Sequence, residues 1–510
     1  MIKRIFFAII SGGILVLAFP PFDLGWIAWA GYVPLMYALE SEGAKAREGF
    51  VLGLVFGFVF FLGTMYWVVH SMYYYGGVPI WISIVVMLTL VLYLSVFPAV
   101  FGLVYKLTNF SKLLKIIAVP LIWVALEYLR GHLFTGLPWV LTGYSQAHYL
   151  PVIQIADTTG VWGVSFIVLA VNTAVLENAV FLLKRKGRLP LGESLVALAL
   201  LVSVTSYGVM RIRQTDSELP YWNGIRAAVT QGSIDQSIKW DVKYQDATLN
   251  IYKDLSLKAG RLGARLIIWP EAAIPFYFEP DKIKKGMVGD AAKETGSFIL
   301  TGSPSYNYNL TANRIDYFNS AFLLSPAGEP VGKYDKIHLV PFGEYVPLKR
   351  FLPFIKKLTV GVGDFSEGPG PNPIRFEGGG IGTLVCFESI FPEIAAGFVR
   401  NGATVLVNLT NDAWFGTTSA PYQHFEMSIL RAVENKIFVL RSANTGISGI
   451  IDPVGRVRQK TELFKQDLIV DNIGLKKGGL TFYSAWGDIF AYGCLGLSAL
   501  FIFTNLRRRK

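Results

Sequence analysis

The sequence predicts a polytopic helical membrane domain joined to one soluble α/β domain. Three observations carry this. Hydrophobic residues make up 52% of the 510 and charged residues 16%, with a mean hydropathy of +0.43, too apolar for a wholly soluble chain. The apolar content is also uneven: residues 1 to 212 are mostly long apolar runs, 225–475 have globular composition, and 486–505 are apolar again. Within the middle stretch, strand-length apolar runs alternate with helical patterns, and several strands are apolar throughout, as in sheets covered on both faces. These shifts predict a membrane domain over 1–212, a soluble domain over 220–475, and a last helix with a basic tail over 484–510.

The first run, Ile5 to Phe19, follows Lys3 and Arg4 and ends at Pro20 and Pro21 without a clear cleavage site, which predicts an uncleaved helix. Further spans are expected near 25–40, 50–70, 79–105, 114–136, 160–183, 194–211 and 486–505, about eight in all. The loops between them alternate. Lys45 and Arg47 lie in one, none in the next around Tyr73 to Gly77, then Lys106, Lys112 and Lys115, a nearly neutral 137–159, and Lys184 to Arg188. With the basic end Arg507 to Lys510, the positive-inside rule puts both termini in the cytoplasm and the soluble domain outside, in the periplasm of a Gram-negative cell. Arg211 and Arg213 fall on the wrong side of this pattern.

A transporter needs ionisable groups deep in its spans, and only Glu127, Arg130 and Glu177 are candidates. The aromatic, turn-rich stretch Gly136 to Gln146 is expected at the outer interface, its aromatics serving as anchors. The net charge of +11 does not indicate nucleic acid, because basic residues gather between apolar runs rather than in stripes with exposed aromatics. Five histidines without ligand spacing, and no paired cysteine motif, predict no metal; no phosphate-cradling glycine loop is present.

In the soluble domain, strands are expected at 225–230, 265–269, 297–301, 320–324, 381–385, 404–407, 437–441 and 468–471, with helices near 241–259, 283–295, 390–400 and 421–435. Ligands of α/β proteins collect at the carboxyl ends of parallel strands. Here the run 266–270 leads to Glu271, 382–385 leads to Cys386, and 404–407 leads to Asn408 through Asp412. A fourth segment, 331–338, offers Lys333 and Lys336, between which the residues alone do not choose. The chain has two cysteines, Cys386 and Cys494, the second in an apolar run, so the two are not expected to bridge. A thiol, a carboxylate and an ammonium suffice for covalent acyl transfer: the carboxylate takes the thiol proton, the sulfur attacks a carbonyl, and the cation holds the oxyanion.

The segments Trp269-Pro270-Glu271, Lys333 to Glu344 and Cys386-Phe387-Glu388 resemble the three signature segments of the nitrilase superfamily. With the N-terminal spans, the stretches Gly143 to Gln146, Gln231 to Trp240, Phe342 to Pro347 and Asn411 to Gly416, the whole chain resembles the bacterial apolipoprotein N-acyltransferase family. That resemblance implies a nitrilase-like four-layer αββα sandwich and a triad at Glu271, Lys336 and Cys386. It implies supporting roles for Glu344 and Glu388 and substrate contact at Trp240, Phe387 and Trp414. Family members often carry tyrosine where this chain has Phe387. The implied reaction moves the sn-1 acyl chain of a phospholipid through a cysteine thioester to the α-amine of a diacylglyceryl-cysteine at an apolipoprotein N-terminus. No cofactor is implied, and a monomer is the default. The apolar run Phe351 to Ile355, flanked by Lys349, Arg350, Lys356 and Lys357, is expected to be a mobile arm touching lipid. The alternative reading is a membrane-tethered amidase with water as acceptor; a scaffold with a dead site is disfavoured by the intact triad.

Overall fold

The computed structural model describes residues 1–41, 43, 45–184, 188–279, 281–311, 313–345 and 364–507. The expected lipid-touching arm at 349–357 lies outside these residues, as do the basic residues 185–186 and 508–510. The chain forms two compact units: 1–69 with 79–214 and 486–510, and 70–78 with 215–485.

In the first unit the helices are Ile2–Val16, Ala46–Met65, Ile80–Leu107, Lys112–His132, Val161–Lys184, Leu191–Glu218 and Ile489–Arg507. Among the described residues, four helical segments are long and apolar enough to cross a bilayer: Ala46–Met65, Ile80–Leu107, Val161–Lys184 and Leu191–Tyr221. The stretch expected as a second span is helical in three consecutive short pieces, Gly25–Ile27, Ala28–Gly31 and Val33–Leu39. Helices Ala46–Met65 and Ile80–Leu107 meet along a seam of small residues. A Cβ on Gly53 would lie 1.9 Å from the Pro98 carbonyl oxygen, so only glycine permits that approach.

The stretch Gly136 to Gln146 corrects the expectation of an interfacial anchor. Trp139 and Tyr144 are buried at 1% and 2% exposure. Two buried side chains of the preceding helix, Glu127 and Arg130, bind the stretch. Glu127 Oε1 accepts from the Thr142 backbone N–H and hydroxyl, both at 2.7 Å, and Arg130 donates to the Leu137 and Trp139 carbonyls at 3.2 and 2.7 Å. Irregular backbone is thereby satisfied inside the helical unit. Arg211, one of the two residues on the wrong side of the charge pattern, is paired with buried Asp157 at 2.7 Å. Glu177 is likewise paired, with Lys112 at 2.9 Å.

The second unit holds two six-stranded sheets. The strands are β1 (Asn223–Gln231), β2 (Leu266–Ile268), β3 (Phe298–Asn309), β4 (Arg314–Leu324), β5 (Pro330–Asp335), β6 (Ile374–Phe376), β7 (Gly379–Val385), β8 (Val405–Thr410), β9 (Val439–Ala443), β10 (Gly449–Ile451), β11 (Val457–Lys460) and β12 (Asp467–Leu475). One sheet runs β12-β1-β2-β3-β4-β5 and the other β11-β10-β9-β8-β7-β6. Each has the same centre. β1, β2 and β3 are parallel and joined by helices Val242–Arg261 and Lys282–Thr295, while β7, β8 and β9 are parallel and joined by Pro392–Arg400 and Ala420–Asn435. Antiparallel strands flank both centres.

Sequence chemistry explains the elements. Asp241 and Asp281 cap their helices, accepting from Lys243 and Lys284 N–H groups at 3.0 Å. Gly296 ends the second helix at φ +62, a left-handed position suited to glycine. Helix Val242–Arg261 packs Leu249, Tyr252 and Leu255 with Ile267, Trp269 and Phe322 in one core. The sheets touch through buried polar groups: Ser442 on β9 donates to the Thr230 carbonyl on β1 at 2.7 Å. β2, β5 and β7 end immediately before the stretches that carry Glu271, Lys336 and Cys386.

Candidate active site

Each of these three side chains is held by a local backbone device. Beyond β2, the Trp269 N–H bonds the Leu300 carbonyl at 2.8 Å, and its indole donates to Ser256 at 2.8 Å while stacking on Tyr252. The chain then turns, with Ala272 at φ +47 directly after Glu271. That turn rests on Gly302, where a Cβ would lie 2.6 Å from the Ala272 nitrogen and 2.8 Å from the Glu271 Cα. Lys336 follows β5, its N–H bonding the Asn319 carbonyl at 2.9 Å. Cys386 follows β7 at φ +54 and opens a tight turn, Cys386–Ile390. Positive φ at a non-glycine residue is a stored cost that surroundings must impose, and such residues cluster at reactive sites.

Glu271 and Lys336 are joined in one part-buried network through Asn319 and Glu344. Lys336, 1% exposed, pairs with Glu344 Oε2 at 2.8 Å. Asn319 bridges the carboxylates, donating to Glu271 Oε1 and Glu344 Oε1 at 2.8 Å each. Glu344 Oε2 also accepts from the Val340 N–H at 2.8 Å, which folds the loop after Lys336 around its partner. Glu388 Oε1 accepts from the Tyr334 hydroxyl and the Ile337 and His338 N–H groups, and Oε2 from the Val385 N–H. It ties the backbone beside Lys336 to the backbone beside Cys386. Lys333 lies apart, paired with Asp335 at 3.1 Å and set over the Phe318 ring, so geometry separates the two lysines that the residues alone left open.

Electrostatics follow from burial. Desolvation raises the Glu271 carboxyl above its ordinary value, opposed by Lys336 and reinforced by Glu344, which makes it a stronger base. The half-buried Cys386 thiol is pushed up, first by desolvation and then by Glu271, against the pull of Lys336. Its proton therefore stays on sulfur until a base takes it. Burial works against the Lys336 ammonium, but Glu344, Cys386 and Glu271 together outweigh it and hold the proton firmly. Burial pushes Glu388 up to about 7 against Lys336, yet four donors converge on its oxygens, so the site is built around its ionised form.

The remaining expected residues are less central. Trp240 is 43% exposed, whereas its neighbour Lys239 is buried and donates to the Glu271 carbonyl at 3.1 Å. Burial drives Lys239 down to about 8, against the pull of Glu271 and Cys386. Phe387 packs edge-on against Phe391 at 5.2 Å, and Trp414 edge-on against Tyr75 at 5.5 Å, with the Ser71 hydroxyl donating to the Trp414 carbonyl. Asn319, Tyr334 and Lys239 were not anticipated; an asparagine opening an otherwise apolar strand run was the one available signal. The arrangement can deprotonate a thiol, and it sets a fixed ammonium beside it where negative charge would develop on an attacked carbonyl.

Residues 11–174 match the apolipoprotein N-acyltransferase N-terminal domain, and residues 226–481 match the carbon-nitrogen hydrolase domain. The apolipoprotein N-acyltransferase of Geobacter metallireducens is 41% identical over 504 residues, covering 98% of this chain and 95% of its own. That of Methylococcus capsulatus is 34% identical over 516 residues, covering 99% and 97%. Among solved structures, Saccharomyces cerevisiae Nit3, a nitrilase superfamily member, aligns with a TM-score of 0.39 at 19% identity, covering 49% of this chain and 90% of that one.

Proposed function

Because the chain belongs to the apolipoprotein N-acyltransferase family, we propose that it completes lipoprotein maturation by ping-pong acyl transfer at Cys386. In the first half, Glu271 takes the thiol proton as sulfur attacks the carbonyl carbon of a phospholipid sn-1 ester. The carbonyl electron pair moves onto oxygen, where Lys336 holds the charge. Collapse breaks the ester C–O bond, Glu271 returns the proton to the leaving oxygen, and lysophospholipid departs from a Cys386 thioester. In the second half, the neutral α-amine of a diacylglyceryl-cysteine attacks that thioester. Glu271 takes a proton from nitrogen and passes it to sulfur as the C–S bond breaks, leaving an amide and a free thiol.

The observation that carries this reading is the part-buried Glu271–Asn319–Glu344–Lys336 network, whose Glu271 and Lys336 charges both act on the Cys386 thiol. Glu344 and Glu388 are positioning residues, acting through Lys336 and the backbone beside Cys386. Trp240, Phe387 and Trp414 are assigned to lipid or peptide contact. We place the protein in the inner membrane with about eight spans, both termini cytoplasmic, and the 220–475 domain periplasmic as an αββα sandwich; it acts as a monomer. A match to the family along the whole chain, helical unit included, disfavours the amidase alternative.

The test is intact mass and peptide mapping after incubation with a defined phospholipid. The expected result is a hydroxylamine-labile acyl mass on Cys386, absent from Cys386→Ala and discharged by a diacylated lipopeptide. A folded, reduced protein that takes no acyl mass, or acyl transfer retained by Cys386→Ala, overturns it.

A further inference from the structure

A second buried network underlies Cys386, and the reaction above does not use it. It is built from Asp412 after β8, His424 on helix Ala420–Asn435, and Arg441 on β9, each no more than 1% exposed. Arg441 Nη2 donates to Asp412 Oδ2 at 2.7 Å and lies 2.9 Å from His424 Nδ1; Asp412 Oδ1 is 3.0 Å from that same nitrogen. The other end of the ring is the informative one. His424 Nε2 lies 3.2 Å from the Cys386 carbonyl oxygen and 2.8 Å from the Ser389 hydroxyl. Ser389 itself donates to the Cys386 carbonyl at 3.1 Å, and Asn408 Nδ2 reaches it at 3.4 Å. Asn408 is in turn gripped by Arg441 Nη1. Arg441 Nε donates to the Ile447 carbonyl at 3.1 Å, and Thr410 to Asp412 at 3.0 Å.

Thus three side chains from β8, the turn after β7 and one helix converge on a single carbonyl, that of the nucleophile. An sp² oxygen offers two lone pairs, so this one is saturated and its direction fixed. In a planar trans peptide the carbonyl of one residue and the N–H of the next point in opposite directions. Drawing the Cys386 carbonyl down into the buried network therefore turns the Phe387 N–H the other way, away from the network.

We infer that His424, braced by Asp412 and Arg441, is a positioning residue that grips the Cys386 carbonyl and so aims the Phe387 N–H at the oxyanion opposite Lys336. This rests on the acyl-transfer reading, because only a tetrahedral intermediate has an oxyanion to receive that N–H.

The test separates acylation from simple thiol reactivity. Alkylation of Cys386 by iodoacetamide is displacement at a saturated carbon and forms no oxyanion, whereas single-turnover acylation by phospholipid does. Removing one oxyanion donor typically costs about 100- to 1,000-fold in rate. His424→Ala leaves Ser389 and Asn408 on that carbonyl, so it is expected to slow acylation by up to that order and leave the alkylation rate unchanged. His424→Gln, which keeps an amide donor, should recover part of the loss. Ser389→Ala, a smaller change on the same oxygen, should reproduce the split in milder form and serves where His424→Ala does not fold. Equal slowing of both reactions would mean the thiol itself has moved, and unchanged acylation would mean the ring is idle; either overturns the inference. A wild-type protein that alkylates but takes no acyl group from phospholipid sinks the acyl-transfer reading instead.

Discussion

Replacing Lys239 with methionine should make this protein more stable at neutral pH and less stable at high pH. Lys239 is 1% exposed and its one described bond is to the Glu271 carbonyl at 3.1 Å, a neutral acceptor. Its pKa falls from 10.5 to about 8 because burial disfavours the ammonium more than Glu271 and Cys386 favour it. At about 1.4 kcal/mol per pH unit, that difference is a folding penalty of about 3 kcal/mol. Below pH 8 the folded and unfolded chains both hold the proton, so the whole penalty stands. Between about 8 and 10.5 the folded chain sheds its proton while the unfolded chain keeps it, and stability rises with pH. Methionine fills similar volume and carries no such term, but forfeits a hydrogen bond of about 1 kcal/mol. The variant should therefore gain about 2 kcal/mol at pH 7, or about 4–8 °C in Tm on the scaling for large domains. The gain should shrink above pH 8 and reverse toward pH 10.5. The assay is thermal unfolding of both proteins in detergent, followed by tryptophan fluorescence from pH 7 to 10. A variant less stable at pH 7, with a difference that does not change with pH, would refute the claim that Lys239 is a charge buried at a cost.

Two further perturbations probe the triad's supports. Glu344→Gln removes the anion 2.8 Å from Lys336 and one of the charges that raise Glu271. Acylation of Cys386 should slow about 100-fold, and the acid limb of its pH–rate profile should move to lower pH, because Glu271 becomes a weaker base. A limb that stays in place would count against Glu271 as the base. Gly302→Ala drives a methyl to within 2.6 Å of the Ala272 nitrogen and 2.8 Å of the Glu271 Cα, displacing the turn that carries the carboxylate. The cost expected for a misplacement on the order of 1 Å is about 100-fold in rate with a near-normal melting transition; a fully active Gly302→Ala protein contradicts the geometry.

What could be read from the sequence divides along a physical line. The eight strands anticipated are those with apolar runs, and they were legible because burial on both faces demands such runs. β3 and β4 extend beyond their apolar halves into the polar stretches Ser305–Asn309 and Arg314–Asn319, where ladder bonds alone mark the strand. The edge strands β5, β6 and β11 went unread because one neighbour and a partly exposed face ask little of composition, and β10, paired on both sides, is only three residues long. The same line runs through the site. Glu271, Lys336 and Cys386 stood out because each follows an element's end inside a recognisable segment. Lys239 and His424 did not, although both are buried against that machinery. A lysine before an exposed tryptophan reads as solvated, and a lone histidine on a helix reads as packing. What decides their fate is a partner elsewhere in the chain: a backbone carbonyl 32 residues away for Lys239, and Asp412 and Arg441, 12 and 17 residues away, for His424. Apolar burial follows from a residue's own chemistry, but polar burial follows from pairing, and pairing is a property of the fold. Positions where a strongly polar side chain is buried against that expectation are therefore where a structure adds most to a sequence, and here both lead to the backbone of a residue in the proposed triad.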